Sequence, residues 1–232
     1  MNRNHILVLS IGVNIFIFCW FIWTYSKRFI QEPSNVPLKE FRDDYKHRVS
    51  HFESLPNDSA EIVFLGNSII DGAEWSELFK NPNIKNRGIS GDFSLGILNR
   101  INEVTSSNPQ KIFLMIGTND IARGFSTGEI IQNINGILDS IEVKSPKTIV
   151  YIHSVLPVGR VRSKERPINK IIELNKELKA LCHIRNKVFI NLFPIFSDKE
   201  NYLSDHLSID GLHLNGKGYS LWSKHIRSNV LE

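Results

Sequence analysis

Five residues in four separated segments have the types that acyl transfer needs. Ser68 follows a short apolar run and a glycine in "FLGNSIIDG", Phe64 to Gly72. Asp210 and His213 stand three apart in "DGLHLN", Asp210 to Asn215. Between them lie "NRGISGD" (Asn86 to Asp92), which holds Gly88, and "GTND" (Gly117 to Asp120), which holds Asn119. A free serine hydroxyl is a poor nucleophile at neutral pH and needs a base to take its proton. His213 can be that base, and Asp210 can hold the imidazole in one tautomer, since Asp-x-x-His lets both side chains converge from one irregular turn. A tetrahedral intermediate also needs donors around its oxyanion. The Ser68 amide, a glycine amide of the second segment and the Asn119 side chain are groups of that kind. Gly88, with no side chain, allows close approach by a reacting carbonyl. Each residue alone also has a plainer reading. Ser68 can be a helix cap, Gly88 a turn glycine, Asn119 and Asp120 turn residues, and His213 one of eight histidines. Order and spacing together are what favour chemistry.

The elements between these segments explain how they would meet. "IVFLG" (Ile62 to Gly66), "KIFLMIG" (Lys111 to Gly117), "TIVYIHSVLP" (Thr148 to Pro157) and "VFINLFP" (Val188 to Pro194) read as strands, with a shorter one over Ile84 to Arg87. Their apolar residues run continuously rather than alternating, which fits a parallel sheet covered on both faces. Helical patterns fall between them: Trp75 to Phe79, Leu95 to Thr105, Ile130 to Ile141, Ile168 to Leu181 and Lys217 to Val230. Strand and helix alternating about five times predict a doubly wound α/β sandwich with a five-stranded parallel sheet. In such a fold the loops beyond the carboxyl ends of the strands carry function. The four candidate segments all fall in those places.

These segments resemble the SGNH hydrolases, also called GDSL-type esterases and lipases. Their four blocks carry Ser, Gly, Asn and His in this chain order on a flavodoxin-like three-layer α/β/α fold. The resemblance spans about Ile62 to Trp222. It implies Ser68 as nucleophile, His213 as base and Asp210 as its orienter, with the Ser68 and Gly88 amides and the Asn119 side chain as oxyanion donors. "NRGISGDFSLGILNRI" and "IHSVLPVG" are similar to the branch near platelet-activating-factor acetylhydrolases and bacterial carbohydrate O-acetylesterases, whose members favour short acyl groups. One departure stands out: the usual Gly-Asp-Ser is Gly-Asn-Ser here. Asn67 keeps the shape of Asp without its charge, which changes the local field more than the hydrogen bonding. Asn67, Asp92, Arg123, Arg160 and Arg162 are expected to line the substrate, with solvated loop charges as the plainer reading of the three arginines.

Bulk properties narrow the classes. The chain has 232 residues, a net charge of +4 and 41% hydrophobic content, enough for one domain with a proper core and an appendage. The basic excess is dispersed, with no Lys/Arg block, so nucleic acid is not an expected partner. Two cysteines, Cys19 and Cys182, make no disulfide framework, and no CxxC or HExxH pattern suggests a metal. No cofactor is expected. Residues 6 to 25 carry no charge and would reach about 30 Å as a helix, the thickness of a bilayer's hydrocarbon core. Trp20, Trp23 and Tyr25 close the run as interfacial aromatics, so an uncleaved membrane anchor is expected over residues 1 to 28, a linker over 29 to 40, and the hydrolase domain over 41 to 232. Arg3 before the span is outnumbered by Lys27, Arg28, Lys39 and Arg42 after it, which leans towards a cytoplasmic body. A glycan substrate argues for the extracytoplasmic face, and long domains cross regardless of such counts. The expected activity is a serine esterase that removes short acyl groups, chiefly acetyl, from a carbohydrate or glycan. The alternatives are a lysophospholipase or thioesterase at the membrane surface, or a catalytically silent tethered binding module.

Overall fold

The computed structural model describes residues 41–56 and 61–232. The expected anchor and linker lie outside the described residues. Among those described, no helix is long and apolar enough to cross a membrane. In chain order the elements are α1 (Asp43–Glu53), β1 (Ile62–Gly66), α2 (Ser68–Asp71), α3 (Trp75–Phe79), β2 (Ile84–Gly88), α4 (Ser94–Thr105), β3 (Lys111–Met115), α5 (Thr118–Ala122), α6 (Thr127–Lys144), β4 (Ile149–His153), α7 (Ile168–Ile184), β5 (Val188–Ile190), α8 (Phe193–Phe196), α9 (Gly216–His225) and α10 (Arg227–Leu231). Five strands form one wholly parallel sheet in the order β2-β1-β3-β4-β5.

The order follows from burial. β1 and β3 are buried along their whole length and, apart from Lys111 at the start of β3, apolar, as inner strands covered on both faces must be. β2, "IKNRG", is polar enough only for the edge, where it lies. On one face Phe64, Phe113 and Tyr151 occupy matched positions of β1, β3 and β4. Their rings stack at 5.0 and 4.5 Å, and Trp75 covers Phe64 at 4.1 Å. Trp222 of α9 meets Trp75 edge-on at 5.0 Å and closes this layer. The expected final helix over Lys217 to Val230 divides at Ile226 into α9 and α10.

The chain leaves β1 for the edge strand β2, then returns across β1 to β3. The carboxyl ends of β1 and β3 therefore flank the point where the winding reverses, the usual crevice for ligands in open α/β sheets. Ser68 follows β1 there, and Asn119 follows β3.

The same sheet edge buries a second histidine. His153 ends β4 with no exposure, stacked on Phe113 and edge-on to Trp222, and neither ring nitrogen has a partner among the described residues. Burial pushes its pKa down to about 3. The folded state therefore holds His153 neutral while the unfolded chain takes up a proton below about pH 6.5. Stability present above that pH is lost as pH falls, by up to about 1.4 kcal/mol per pH unit from this group. His153→Phe is expected to flatten the slope of denaturation free energy between pH 6 and 4, read from urea midpoints. An unchanged slope would show that other groups set it.

Candidate active site

Four loops at the carboxyl edge of the sheet are cross-linked by hydrogen bonds. The first begins with Asn67, whose Oδ1 accepts the Ile69 amide at 3.0 Å and caps α2. Ser68 is thus the first residue of the helix, and Asn67 is its cap. A four-residue helix leaves most of its carbonyls unpaired. Side chains from elsewhere hold them: Tyr219 Oη donates to Ile69 O at 2.9 Å, Trp75 Nε1 to Ile70 O at 2.8 Å, and Asn86 Nδ2 to Ile70, Asp71 and Ala73 carbonyls at 2.9–3.1 Å. Ser68 is fixed by its support.

The last loop brings His213. His213 Nε2 lies 3.0 Å from Ser68 Oγ, and its Nδ1 lies 2.7 Å from Asp210 Oδ2. Asp210 Oδ1 accepts the Leu212 and His213 amides at 2.9 and 2.8 Å, so the carboxylate organises the turn as well as the ring. Burial raises its pKa, but the bonds from the His213 amide and ring and the Leu212 amide outweigh this and hold the carboxyl well below the usual range. Asp210 is therefore ionised wherever His213 could act as a base. Arg162 reinforces the turn, donating to Asp210 O at 3.2 Å and lying 3.5 Å from Oδ2. Asn215, two residues past His213, caps α9 through the Lys217 and Gly218 amides.

The expected donors separate. The Gly88 amide donates to Asn86 Oδ1 at 2.9 Å, so it is already committed and is not free for an oxyanion. Gly88 is glycine for packing: a Cβ there would lie 2.2 Å from the Asp71 amide nitrogen. The turn that follows offers another donor. Asp92 N bonds to Ile89 O at 3.1 Å, and Gly91 within the turn adopts φ +76°. Among the described residues the Gly91 amide has no acceptor. The sequence carried a signal for it, the second glycine of "GISGD", but nothing in one dimension shows that Asn86 occupies the first.

Asn119 is oriented from both ends. Its Nδ2 donates to Asp92 O at 2.9 Å, and Arg166 Nη2 donates to its Oδ1 at 3.3 Å. A guanidinium only donates, so it can face only the amide oxygen; this sets which end of Asn119 points at the turn and leaves the second N–H of Nδ2 available. Arg166 escaped the sequence reading because "SKERP" looks like a solvated loop. It is 9% exposed, and its buried Nε has no partner among the described residues. The neighbouring Asp120 joins the same loops: its Oδ1 accepts the Ser94 amide at 2.9 Å and hydroxyl at 2.5 Å, while burial raises its pKa.

The expected substrate-lining residues divide as well. Asn67 is buried and caps a helix. Asp92 turns its buried carboxylate inward to Arg100 at 3.0 Å, and burial pushes it up to about 6 against that cation's pull. Arg160 pairs with Asp198 and Glu200, both at 3.1 Å, and covers Tyr202. Arg162 serves the Asp210 turn. Arg123 borders a cavity, described below, and Asp92 contributes to the same wall. Among the described residues no three His, Cys, Asp or Glu side chains converge as metal ligands. The set of groups present, a hydroxyl on an imidazole on a carboxylate beside free N–H donors, can perform acyl transfer to water.

Comparison with known proteins agrees with this chemistry. The family model of the GDSL-like Lipase/Acylhydrolase family matches residues 64–221, and the chain belongs to that family. It is similar to the platelet-activating factor acetylhydrolase IB subunit alpha2 of Rattus norvegicus, 24% identical over 182 residues, 74% of this chain and 76% of that one. It is also similar to the N-acylneuraminate cytidylyltransferase of Escherichia coli, 24% identical over 205 residues, 87% of this chain and 48% of that protein. A solved Streptococcus pneumonia protein named as a platelet activating factor superposes with a TM-score of 0.73 at 27% identity, over 81% of this chain and 92% of the other. The chain is a carboxylic ester hydrolase.

If Arg166 acts through Asn119, the two substitutions must be non-additive. Asn119→Ala is expected to lower kcat about 100-fold, as loss of one oxyanion donor does. Arg166→Gln should lower kcat with little change in KM in the native background, and have almost no effect when Asn119 is already Ala. Additive losses would give Arg166 a separate role.

Proposed function

We propose that this chain is a serine esterase that removes short acyl groups, chiefly acetyl, from a carbohydrate or glycan. The observation that carries the reading is the continuous relay from Ser68 Oγ to His213 Nε2 at 3.0 Å and from Nδ1 to Asp210 at 2.7 Å. Ser68 Oγ attacks the ester carbonyl carbon as its proton passes to Nε2. The carbonyl oxygen becomes the oxyanion, met by the Ser68 and Gly91 amides and Asn119 Nδ2. The C–O bond to the alcohol then breaks, and Nε2 returns the proton to the leaving alcohol oxygen. Water attacks acyl-Ser68 and gives one proton to Nε2; the bond to Oγ breaks, Nε2 returns that proton to Oγ, and the carboxylic acid leaves and loses its remaining proton to solvent. Asp210 keeps Nδ1 protonated throughout and stabilises the transient imidazolium.

The surroundings support a sugar ester over a lipid one. A cavity of about 200 Å³ adjoins the Gly91 turn, and its walls are aromatic and charged, with Phe41, Tyr45, Phe93, Arg42 and Arg123 among them and no aliphatic side chain. Aromatic faces and polar groups suit a sugar; a long acyl chain wants aliphatic walls. The rat relative's name supports an acetyl group, and the Escherichia coli relative's name a sugar acid, although the chain spans about half of that protein. An N-terminal anchor over residues 6 to 25, holding the domain on the extracytoplasmic face, would put it beside such glycans. Protease accessibility of the domain in intact cells tests that placement.

Hydrolysis of p-nitrophenyl acetate and octanoate by the full chain tests the chemistry. Ser68→Ala is expected to lower kcat by roughly three orders of magnitude or more while the fold persists. kcat/KM should favour acetate over octanoate. A preference for octanoate favours the lipid reading, and equal rates for native and Ser68→Ala enzyme would end the serine mechanism.

A further inference from the structure

The arginines on the site's loops have different fates. Arg42 pairs with Asp44 at 2.5 Å, Arg160 with two carboxylates, Arg162 with Asp210 and Arg166 with Glu165 at 2.9 Å. Arg123 alone among them has no carboxylate within ion-pair reach among the described residues. Its guanidinium is nonetheless held in one place. The Cζ atom sits 3.8 Å from the centroid of the Phe93 ring, and Nη2 donates to Gly91 O at 2.8 Å. Nε and Nη1 have no partner among the described residues. A cation oriented on an aromatic face and a carbonyl, with its remaining donors open, is preorganised for an anion.

The place is specific. Arg123 and Phe93 both line the cavity of about 200 Å³, and so does Gly91, whose amide is the proposed oxyanion donor. Arg123 grips the carbonyl of that same Gly91. Phe41, Tyr45 and Phe93 stack on one another at 4.5 and 5.7 Å and give the cavity an aromatic wall. The Tyr45 hydroxyl is committed to Gly96 O at 2.6 Å, so that wall offers ring faces rather than a further polar tip. Burial lowers the Arg123 pKa, with Asp120 and Asp92 opposing and Arg42 reinforcing, and the side chain stays open to solvent.

We infer that this cavity is a subsite for the carboxylate of an acidic sugar, with Arg123 as the residue that selects it, so that the preferred substrates are O-acetyl esters of uronic-acid-type sugars. The planar fork of arginine matches a carboxylate in two-point geometry, and the aromatic wall takes the C–H face of the ring. The inference rests on the acetylesterase reading above and adds the charge of the substrate.

The test uses the full chain and p-nitrophenyl acetate as the reporter, with methyl glucuronide, methyl glucoside and glucose 1-phosphate as inhibitors. Methyl glucuronide should compete at least about tenfold better than methyl glucoside, the factor one charge-assisted hydrogen bond supplies. That advantage should shrink as salt rises. Arg123→Gln should bring the two inhibitors level, and Arg123→Lys, which keeps the charge without the fork, should retain part of the difference. O-acetylated methyl glucuronide and methyl glucoside should show the same ratio in kcat/KM. Equal inhibition by both sugars in the native enzyme, or a ratio that survives Arg123→Gln, overturns the subsite while leaving the esterase intact. Inhibition by glucose 1-phosphate without inhibition by the glucuronide overturns the carboxylate assignment. Absence of any p-nitrophenyl acetate hydrolysis overturns the esterase reading and this inference together.

Discussion

The geometry of the site depends on one buried cation. The Arg100 side chain has no solvent exposure, and α4 projects it under the catalytic loops. It donates to Asp92 Oδ2 at 3.0 Å, to Glu103 Oε1 at 3.1 Å, to Arg87 O at 2.8 Å and to Gly66 O at 3.3 Å. Gly66 O and Arg87 O are carbonyls at the ends of β1 and β2, just before Asn67-Ser68 and Gly88. A single guanidinium thus ties the nucleophile's strand, its neighbour and the Gly91 turn. Glu103 also accepts from Arg87, so the buried charges form a balanced pair of pairs. Such networks are modest contributors to net stability, because desolvation offsets most of the attraction. What this one supplies is register: neither strand end can shift without leaving a buried carbonyl or carboxylate unpaired.

That constraint explains how a helix of four residues can hold Ser68 in place. α2 is too short to be stable by its own hydrogen bonds. It persists because its amino end is capped by Asn67, its strand of origin is tied by Arg100, and its carbonyls are held by Asn86, Trp75 and Tyr219. Capping requires one oxygen acceptor, and Asn67 Oδ1 meets that need as an aspartate would. Its Nδ2 is buried without an acceptor among the described residues. The neutral side chain therefore keeps the loop's shape while removing a buried negative charge next to Ser68, in a region that already buries the carboxylates of Asp92 and Asp120.

Much of this was legible in the sequence. The inner strands read clearly because parallel strands buried on both faces must be apolar throughout. β2 was the faintest of the five, since an edge strand tolerates Lys85 and Asn86. The convergence of Ser68, His213 and Asp210 was legible because acyl-transfer chemistry demands particular residue types at the ends of strands. Which glycine amide stays free was not. In one dimension nothing separates Gly88 from Gly91, and it is Asn86, two residues away, that claims the Gly88 amide. Arg166 and Arg123 were hard for the same reason. A loop arginine's worth lies in its partners, and pairing is a property of three dimensions. Of Arg123, Arg160 and Arg162, equivalent on paper, one was left unpaired beside a cavity.

The two histidines at the carboxyl edge make the same point about function. His153 and His213 both follow from strand-end or loop positions near the sheet, and composition does not distinguish them. His153 lies among Phe113 and Trp222 with both nitrogens bare, so burial removes its basicity. His213 has an ionised carboxylate on one nitrogen and a serine hydroxyl on the other, and 46% of its side chain is open to solvent. The carboxylate fixes the tautomer and offsets the charge that proton uptake creates, and the exposure leaves a path for water to reach the acyl group. A base must be able to gain a proton and lose it again within one turnover. The fold denies this to one imidazole by enclosing it in aromatic rings, and it places the other on a turn that Asp210 itself organises, between a carboxylate and a hydroxyl.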